Sequence, residues 1–227
     1  MGDQNNELNL PYTISGDWIS KSLYISDNAN HRIMRYELNG AIVGTLIAGG
    51  NGPGSNTNQF NLAISFYRDP LTNSILVVNE LQHSIVRCPI GINNWTLVLG
   101  NSNGLPGNSS SEFRQPSDVM LDPMGNIYVC DRFNHRIQFF FLSQTTGSTI
   151  LGLSNISGNN STLLNGPTSF QSEINGISMF LIRTMMEFNS LYATKLLGIQ
   201  CFISFYFHFR IKSQVNVILL RILFDKQ

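Results

Sequence analysis

An all-β chain of repeated four-stranded units is predicted by three observations: a fixed internal period, short apolar runs bounded by turn residues, and a composition low in charge and high in glycine. The chain has 227 residues, with 14 Lys and Arg balanced by 14 Asp and Glu. Charged residues make up 12%, about half the usual share, while hydrophobic residues stand at an ordinary 42%. Asn, Ser, Thr and 19 Gly fill the difference. That is turn chemistry rather than long-helix chemistry, so an all-helical bundle is disfavoured. A net charge of zero leaves no long-range field to draw nucleic acid, anionic lipid or a charged substrate.

The period comes from three segments that superpose without a gap: residues 23–33 (LYISDNANHRI), 75–85 (ILVVNELQHSI) and 127–137 (IYVCDRFNHRI). Their starts lie 52 residues apart both times, which marks an internal repeat. The surroundings repeat too. Asp69-Pro70 and Asp122-Pro123 precede the second and third segments, and Gly-rich connectors recur at 49–54 and 100–107, with a weaker echo at 152–166.

One unit reads in order as a strand over 117–121, a turn over 122–126, a strand over 127–130, a second turn over 131–136, a strand over 137–141 and a fourth over 148–153. Four short strands rich in Ile, Val, Tyr and Phe, separated by Gly, Asn and Pro, fit a blade of a β-propeller better than a helical solenoid. The predicted fold is a partial β-propeller of four-stranded blades. Residues 1–16 read as a polar N-terminal segment and residues 17–170 as blades with cores at 23–36, 75–88 and 127–140.

Residues 164–169 resemble 113–118 and begin a fourth unit, but its next Tyr-Val-Asp-type strand and turn, due near residue 179, do not arrive. Residues 171–227 are instead dense in Phe, Leu and Ile and read as a degenerate or non-native C-terminal tail. Within it, 191–209 is a weak membrane-span candidate, since the uncharged run over 196–207 falls short of the roughly 20 residues a bilayer needs. An open arc of blades would also expose sheet faces and favour self-association.

The turn residues repeat with the period. Asp27 and Asp131 end a strand, and Arg32 and Arg136 open the next one. The carboxylate can accept backbone N–H bonds while the guanidinium returns to it or to strand carbonyls. The middle unit carries Asn79 and Ser84 at these positions, so both charges leave together, as a structural pair would require. His31, His83 and His135 share one repeat position. Blade rotation keeps such residues apart, which favours turn packing, with the imidazole donating to a carbonyl, over a metal centre. Arg35 and Arg87 match in register and form a candidate basic face, although no RNA-reading motif accompanies them.

No dinucleotide, Walker or nucleophile-elbow motif is present, and no paired acids fall in a locatable cleft. Catalytic, cofactor and metal residues are therefore assigned to none. Cys88, Cys130 and Cys201 are too few and scattered for a disulfide framework. Sequons at Asn94, Asn108, Asn155, Asn159 and Asn160 suit an extracellular module, while the first residues carry no apolar leader. The compartment is left open.

The strings Asp27 to Ile33 and Asp131 to Ile137, with the Phe113 to Pro116 lead-in, resemble NHL repeats over roughly residues 20–170, the middle unit departing at Asn79 and Ser84. The resemblance implies blades of a six-bladed propeller serving as a binding platform, for proteins in some members and RNA in others. A non-catalytic protein-binding module, or a fragment of a larger repeat protein, is the expectation. The alternatives are an RNA-binding propeller or a propeller enzyme related to the peptidylamide lyases, and no residue of that catalytic set maps onto this sequence.

Overall fold

The computed structural model describes residues 4–40, 42–158 and 162–170, together with the backbone of the strands Met179–Thr184 and Asn216–Arg221. The span candidate at 191–209, Cys201, and the sequons at Asn159 and Asn160 lie outside the described residues.

Twelve strands form three four-stranded antiparallel sheets. The first holds β1 (Pro11–Asp17), β2 (Ser22–Asp27), β3 (Arg32–Glu37) and β4 (Thr45–Gly49). The second holds β5 (Ala63–Asp69), β6 (Ser74–Asn79), β7 (Ser84–Pro89) and β8 (Thr96–Gly100). The third holds β9 (Asp118–Leu121), β10 (Ile127–Asp131), β11 (Arg136–Phe140) and β12 (Ser148–Gly152). Each sheet is a meander in chain order, and the first strands β1, β5 and β9 lie against one another, as the inner strands of blades around an axis do. The chain is thus an all-β partial propeller of three blades. Met179–Thr184 and Asn216–Arg221 pair with each other in a separate two-stranded sheet.

The first blade begins inside the stretch read as a polar segment. Its strand β1, PYTISGD, alternates apolar Tyr12 and Ile14 with Thr13 and Ser15. The polar half hides it in a search for apolar runs, although period-2 alternation is itself a strand signal.

Blades pack front to back. Tyr24 and Ile33 of the first meet Ile75, Val77, Val86 and Cys88 of the second. Leu76, Val78 and Ile85 of the second then meet Val119, Ile127, Val129 and Phe140 of the third. Burying each such side chain contributes about 1.5–3 kcal/mol. Among the described residues the back of the first blade is open at its inner strand: Ile14 is 64% exposed, whereas Phe66, one repeat later, is 5% exposed, although Met34 on the same face as Ile14 is buried. On the front of the third blade, Leu164 and Phe170 cover Cys130, Ile137 and Tyr128. The lead-in to a fourth unit is therefore docked as the earlier lead-ins are, with Gly54, Gly107 and Gly158 donating to the carbonyls of Phe60, Phe113 and Leu164 in turn.

Candidate functional site

The repeated turn between the second and third strands of each blade is where the sequence concentrates its chemistry. In all three blades it is a single 3-10 turn, over Asn28–Asn30, Glu80–Gln82 and Arg132–Asn134, closed by a histidine in the left-handed region at φ 53°, 52° and 56°. The chain must pass close by here. A Cβ on Gly49, Gly100 or Gly152, each at positive φ, would strike the carbonyl oxygen of His31, His83 or His135.

In the outer two blades Asp and Arg lock the turn as the spacing suggests. Asp27 accepts from the Asn9 backbone at 2.6 Å, from Asn30 Nδ2 at 2.8 Å and from Arg32 Nε at 2.6 Å, and Arg32 Nη2 donates to the carbonyls of Gln4 and Glu7. Asp131 accepts from the Arg114 backbone, Asn134 Nδ2 and Arg136 Nε, each at 2.8 Å. Arg136 then donates to the carbonyls of Asn108, Ser109 and Glu112. The arginine does more than close a turn. It pins the connector that fills the wedge between blades. Burial pushes the Asp131 carboxyl above its ordinary value, against the lowering effect of the Arg114 amide, Asn134 and Arg136.

In the middle blade Asn79 Oδ1 still accepts from the Asn61 backbone at 2.7 Å, but its Nδ2 is buried without a partner and Ser84 reaches no connector carbonyl. The missing clamp is supplied from elsewhere. Trp95 Nε1 donates to the Gln59 carbonyl at 2.8 Å, the position equivalent to Glu112, and the Trp95 amide donates to Thr57. Its ring has room because Cys88 stands where the other blades carry Tyr36 and Phe140. Those aromatic rings leave no space for a side chain at Gly44 and Gly147, the positions matching Trp95.

The histidines differ from the expected donors. Each Nδ1 accepts a backbone N–H from the following lead-in: Leu62 to His31 at 3.1 Å, Gln115 to His83 at 3.0 Å and Gly166 to His135 at 3.1 Å. An N–H facing Nδ1 requires that nitrogen to be unprotonated, so the ring is neutral with its proton on Nε2. Burial lowers all three imidazole pKa values, with Arg114 adding to the effect at His83 and His135. The three rings thus sit at three successive blade junctions.

One polar row carries no signal in the repeat motif. Thr13 Oγ1 donates to the Ile64 carbonyl at 3.2 Å and approaches Ser65 Oγ at 3.3 Å. Ser65 Oγ donates to Asp118 Oδ1 at 2.6 Å, and the Phe170 amide donates to Asp118 Oδ2 at 2.6 Å. These inner-strand residues follow the repeat spacing of 52, 53 and 52, the one available clue. Burial pushes the Asp118 carboxyl up to about 6, against the lowering contacts from Ser65, Phe170 and Val119.

The two register-matched arginines are each engaged by a carboxylate. Arg35 pairs with Glu37 at 2.8 Å, and Arg87 pairs with Asp69 at 2.7 Å while also donating to Thr72 and Ser74. Cys88 and Cys130 are buried free thiols, the first pushed up to about 12 by burial. The sequon residues Asn94, Asn108 and Asn155 are exposed.

The geometry agrees with known proteins. The NHL repeat family matches residues 113–140, the third blade core and its lead-in. This chain is an NHL-repeat-like partial β-propeller. The NHL repeat-containing protein 3 of Mus musculus is 28% identical over 138 residues, covering 56% of this chain and 37% of that protein. An auxiliary nutrient binding protein from Bacteroides thetaiotaomicron superposes with a TM-score of 0.55 at 18% identity, over 74% of this chain and 44% of that one. Another, from Bacteroides ovatus, gives 0.55 at 14% identity, over 78% and 46%. The NHL-like chain therefore spans less than half the length of each of these three, and the two structures establish its fold.

Proposed function

We propose that this NHL-like propeller is a non-catalytic interaction module that takes a protein or peptide on the loops at the blade ends. The observation that carries the reading is an invariant turn bearing changing side chains. The latch around His31, His83 and His135 holds one backbone geometry in all three blades. At its first position the side chains are Asn28, Glu80 and Arg132, of which Glu80 is buried against Arg132, and at its second Ala29, Leu81 and Phe133, where Leu81 and Phe133 are exposed. A rigid frame presenting variable groups at constant spacing limits the ordering cost of binding. Two of the structurally similar proteins are described as nutrient binding, which supports a ligand-binding role for the scaffold.

The test is selection of peptides from a random display library on the full chain, followed by affinity measurement against Leu81→Ala and Phe133→Ala. The expected result is a loss of about tenfold, equivalent to about 1.4 kcal/mol, in at least one variant. Peptides indifferent to every substitution on these turns would remove the proposal.

A further inference from the structure

The opposite end of the blades carries a second pattern. In every blade the turn between the first two strands is capped by an aspartate at one repeat position. Asp17 accepts the amides of Ile19 and Ser20, Asp69 those of Leu71 and Thr72, and Asp122 those of Met124 and Asn126. The side chain two residues after each aspartate is large, apolar and outward-facing: Ile19 is 98% exposed, Leu71 86% and Met124 61%. A lone exposed apolar residue needs no account. The same exposure at one structural position in three blades does.

The adjoining loop between the third and fourth strands is tied to each of these turns. Leu38 N donates to the Lys21 carbonyl, Ile90 N to the Asn73 carbonyl and Leu142 N to Asn126 Oδ1. These loops add exposed Ile42, Ile92 and Phe141 to the same end. The charges at this end balance in number, Asp17, Glu37, Asp69 and Asp122 against Lys21, Arg35, Arg68 and Arg87, with Lys21 exposed. Asp17 faces Arg68 at 3.8 Å, Asp69 pairs with Arg87, Glu37 pairs with Arg35, and Asp122 accepts from Asn126 Nδ2.

We infer that this end docks onto the surface of a neutral lipid bilayer, with Ile19, Leu71 and Met124 inserted at its interface. Equivalent positions around a propeller axis lie in one plane, so the tips form a flat array of separated, convex apolar points. Such an array fits a planar, laterally fluid surface, whereas a protein partner would need a matching socket for each tip. Trp18, exposed beside Ile19, is a residue type that settles at membrane interfaces. With as many carboxylates as cations at this end, anionic headgroups add no net attraction and the apolar tips carry it. The face is distinct from the histidine-latched turns.

The experiment is flotation of the full chain with vesicles of phosphatidylcholine alone and of phosphatidylcholine mixed with phosphatidylserine, read also by tryptophan emission. The wild type is expected to float with both to a similar extent and to shift its emission to the blue, a shift lost in Trp18→Phe. The triple variant Ile19→Ser, Leu71→Ser, Met124→Ser is expected to partition about tenfold less or weaker, with an unchanged circular dichroism spectrum and thermal midpoint, since these side chains lie at the surface. Failure of the wild type to float with either vesicle overturns the inference. So does flotation that requires phosphatidylserine, or a triple variant that floats like the wild type. Association between chains in the absence of lipid that the triple variant abolishes, without flotation, would make the rim a contact between copies and overturn it equally. None of these outcomes bears on peptide binding at the latched turns.

Discussion

The middle blade and its two neighbours reach the same backbone by different chemistry. The outer blades clamp their connectors with a buried Asp–Arg pair, Asp27 with Arg32 and Asp131 with Arg136. The middle blade has Asn79 and Ser84 there and clamps with the Trp95 indole instead. A charge pair taken out of water must offset a large desolvation cost through near-ideal hydrogen bonding. An indole N–H makes the same connector contact without that cost, provided a small residue such as Cys88 leaves room for the ring. What the repeat preserves is the hydrogen bond to the residue before Phe60 or Phe113, rather than the side chain that donates it.

The sharpest way to break the comparison is to move the middle blade's residues into the third. Arg136→Ser alone leaves Asp131 buried without its cation, removes three bonds to the connector and leaves the Glu112 carbonyl without a donor, and is expected to cost about 3–5 kcal/mol. Asp131→Asn with Arg136→Ser removes the orphaned charge and is expected to recover part of that loss. It does not recover all of it, because Gly147 offers no indole in place of Trp95. Urea unfolding midpoints of the single and double variants decide the matter. A double variant no more stable than the single would show that the carboxylate and guanidinium are not coupled.

The exchange within the middle blade should be smaller. Trp95→Gly removes a half-buried ring and its bond to Gln59 and is expected to cost about 2–3 kcal/mol, below the usual range for a fully buried aromatic. Adding Cys88→Phe recreates the pairing of Phe140 with Gly147 and is expected to restore the packing but not the hydrogen bond. A thermal midpoint for the pair at or below that of Trp95→Gly would refute the size exchange.

How much of this was legible in the sequence follows from which residues carry an invariant identity. The Asp, His and Arg of the turn keep their side chains in two or three units, so their spacing announces both the blade period and the lock between Asp27 and Arg32. The inner-strand row does not. Thr13, Ser65 and Asp118 share the repeat spacing and a capacity for hydrogen bonding but no side-chain identity, and only the structure shows that they touch. Trp95 is invisible as a clamp because its partner, Gln59, lies 36 residues away and its counterparts are glycines. The direction of the histidine bonds was also beyond reach. A left-handed residue next to a carbonyl suggests a donor, and it takes the docked lead-in to place an N–H opposite Nδ1. The apolar tips were readable one at a time, but their common plane required the blades.

The smallest effect concerns pH, and it separates the histidine latches from the inner row by sign. Each imidazole is held below its ordinary 6.5. The unfolded chain therefore takes up protons first as pH falls. The stability each latch contributes is whole above 6.5 and is lost as pH drops through that value and through the lower folded one. Asp118 runs the other way. Raised from 3.8 to about 6, its folded carboxyl binds a proton more tightly than the unfolded one, so its contribution is present below 3.8 and lost as pH rises through 6. His83→Asn keeps a residue that tolerates the left-handed turn and gives up the proton switch. It is expected to cost about 1 kcal/mol at pH 8 and to reduce the loss of stability between pH 7 and pH 5. Asp118→Asn retains an acceptor for the Phe170 amide and is expected to stabilise the chain at pH 8 more than at pH 5. Unfolding free energies of the two variants across this range should therefore depart from the wild type with opposite slopes. Parallel curves would mean that neither group titrates differently in the folded and unfolded chains, and that the latches hold by geometry without regard to charge.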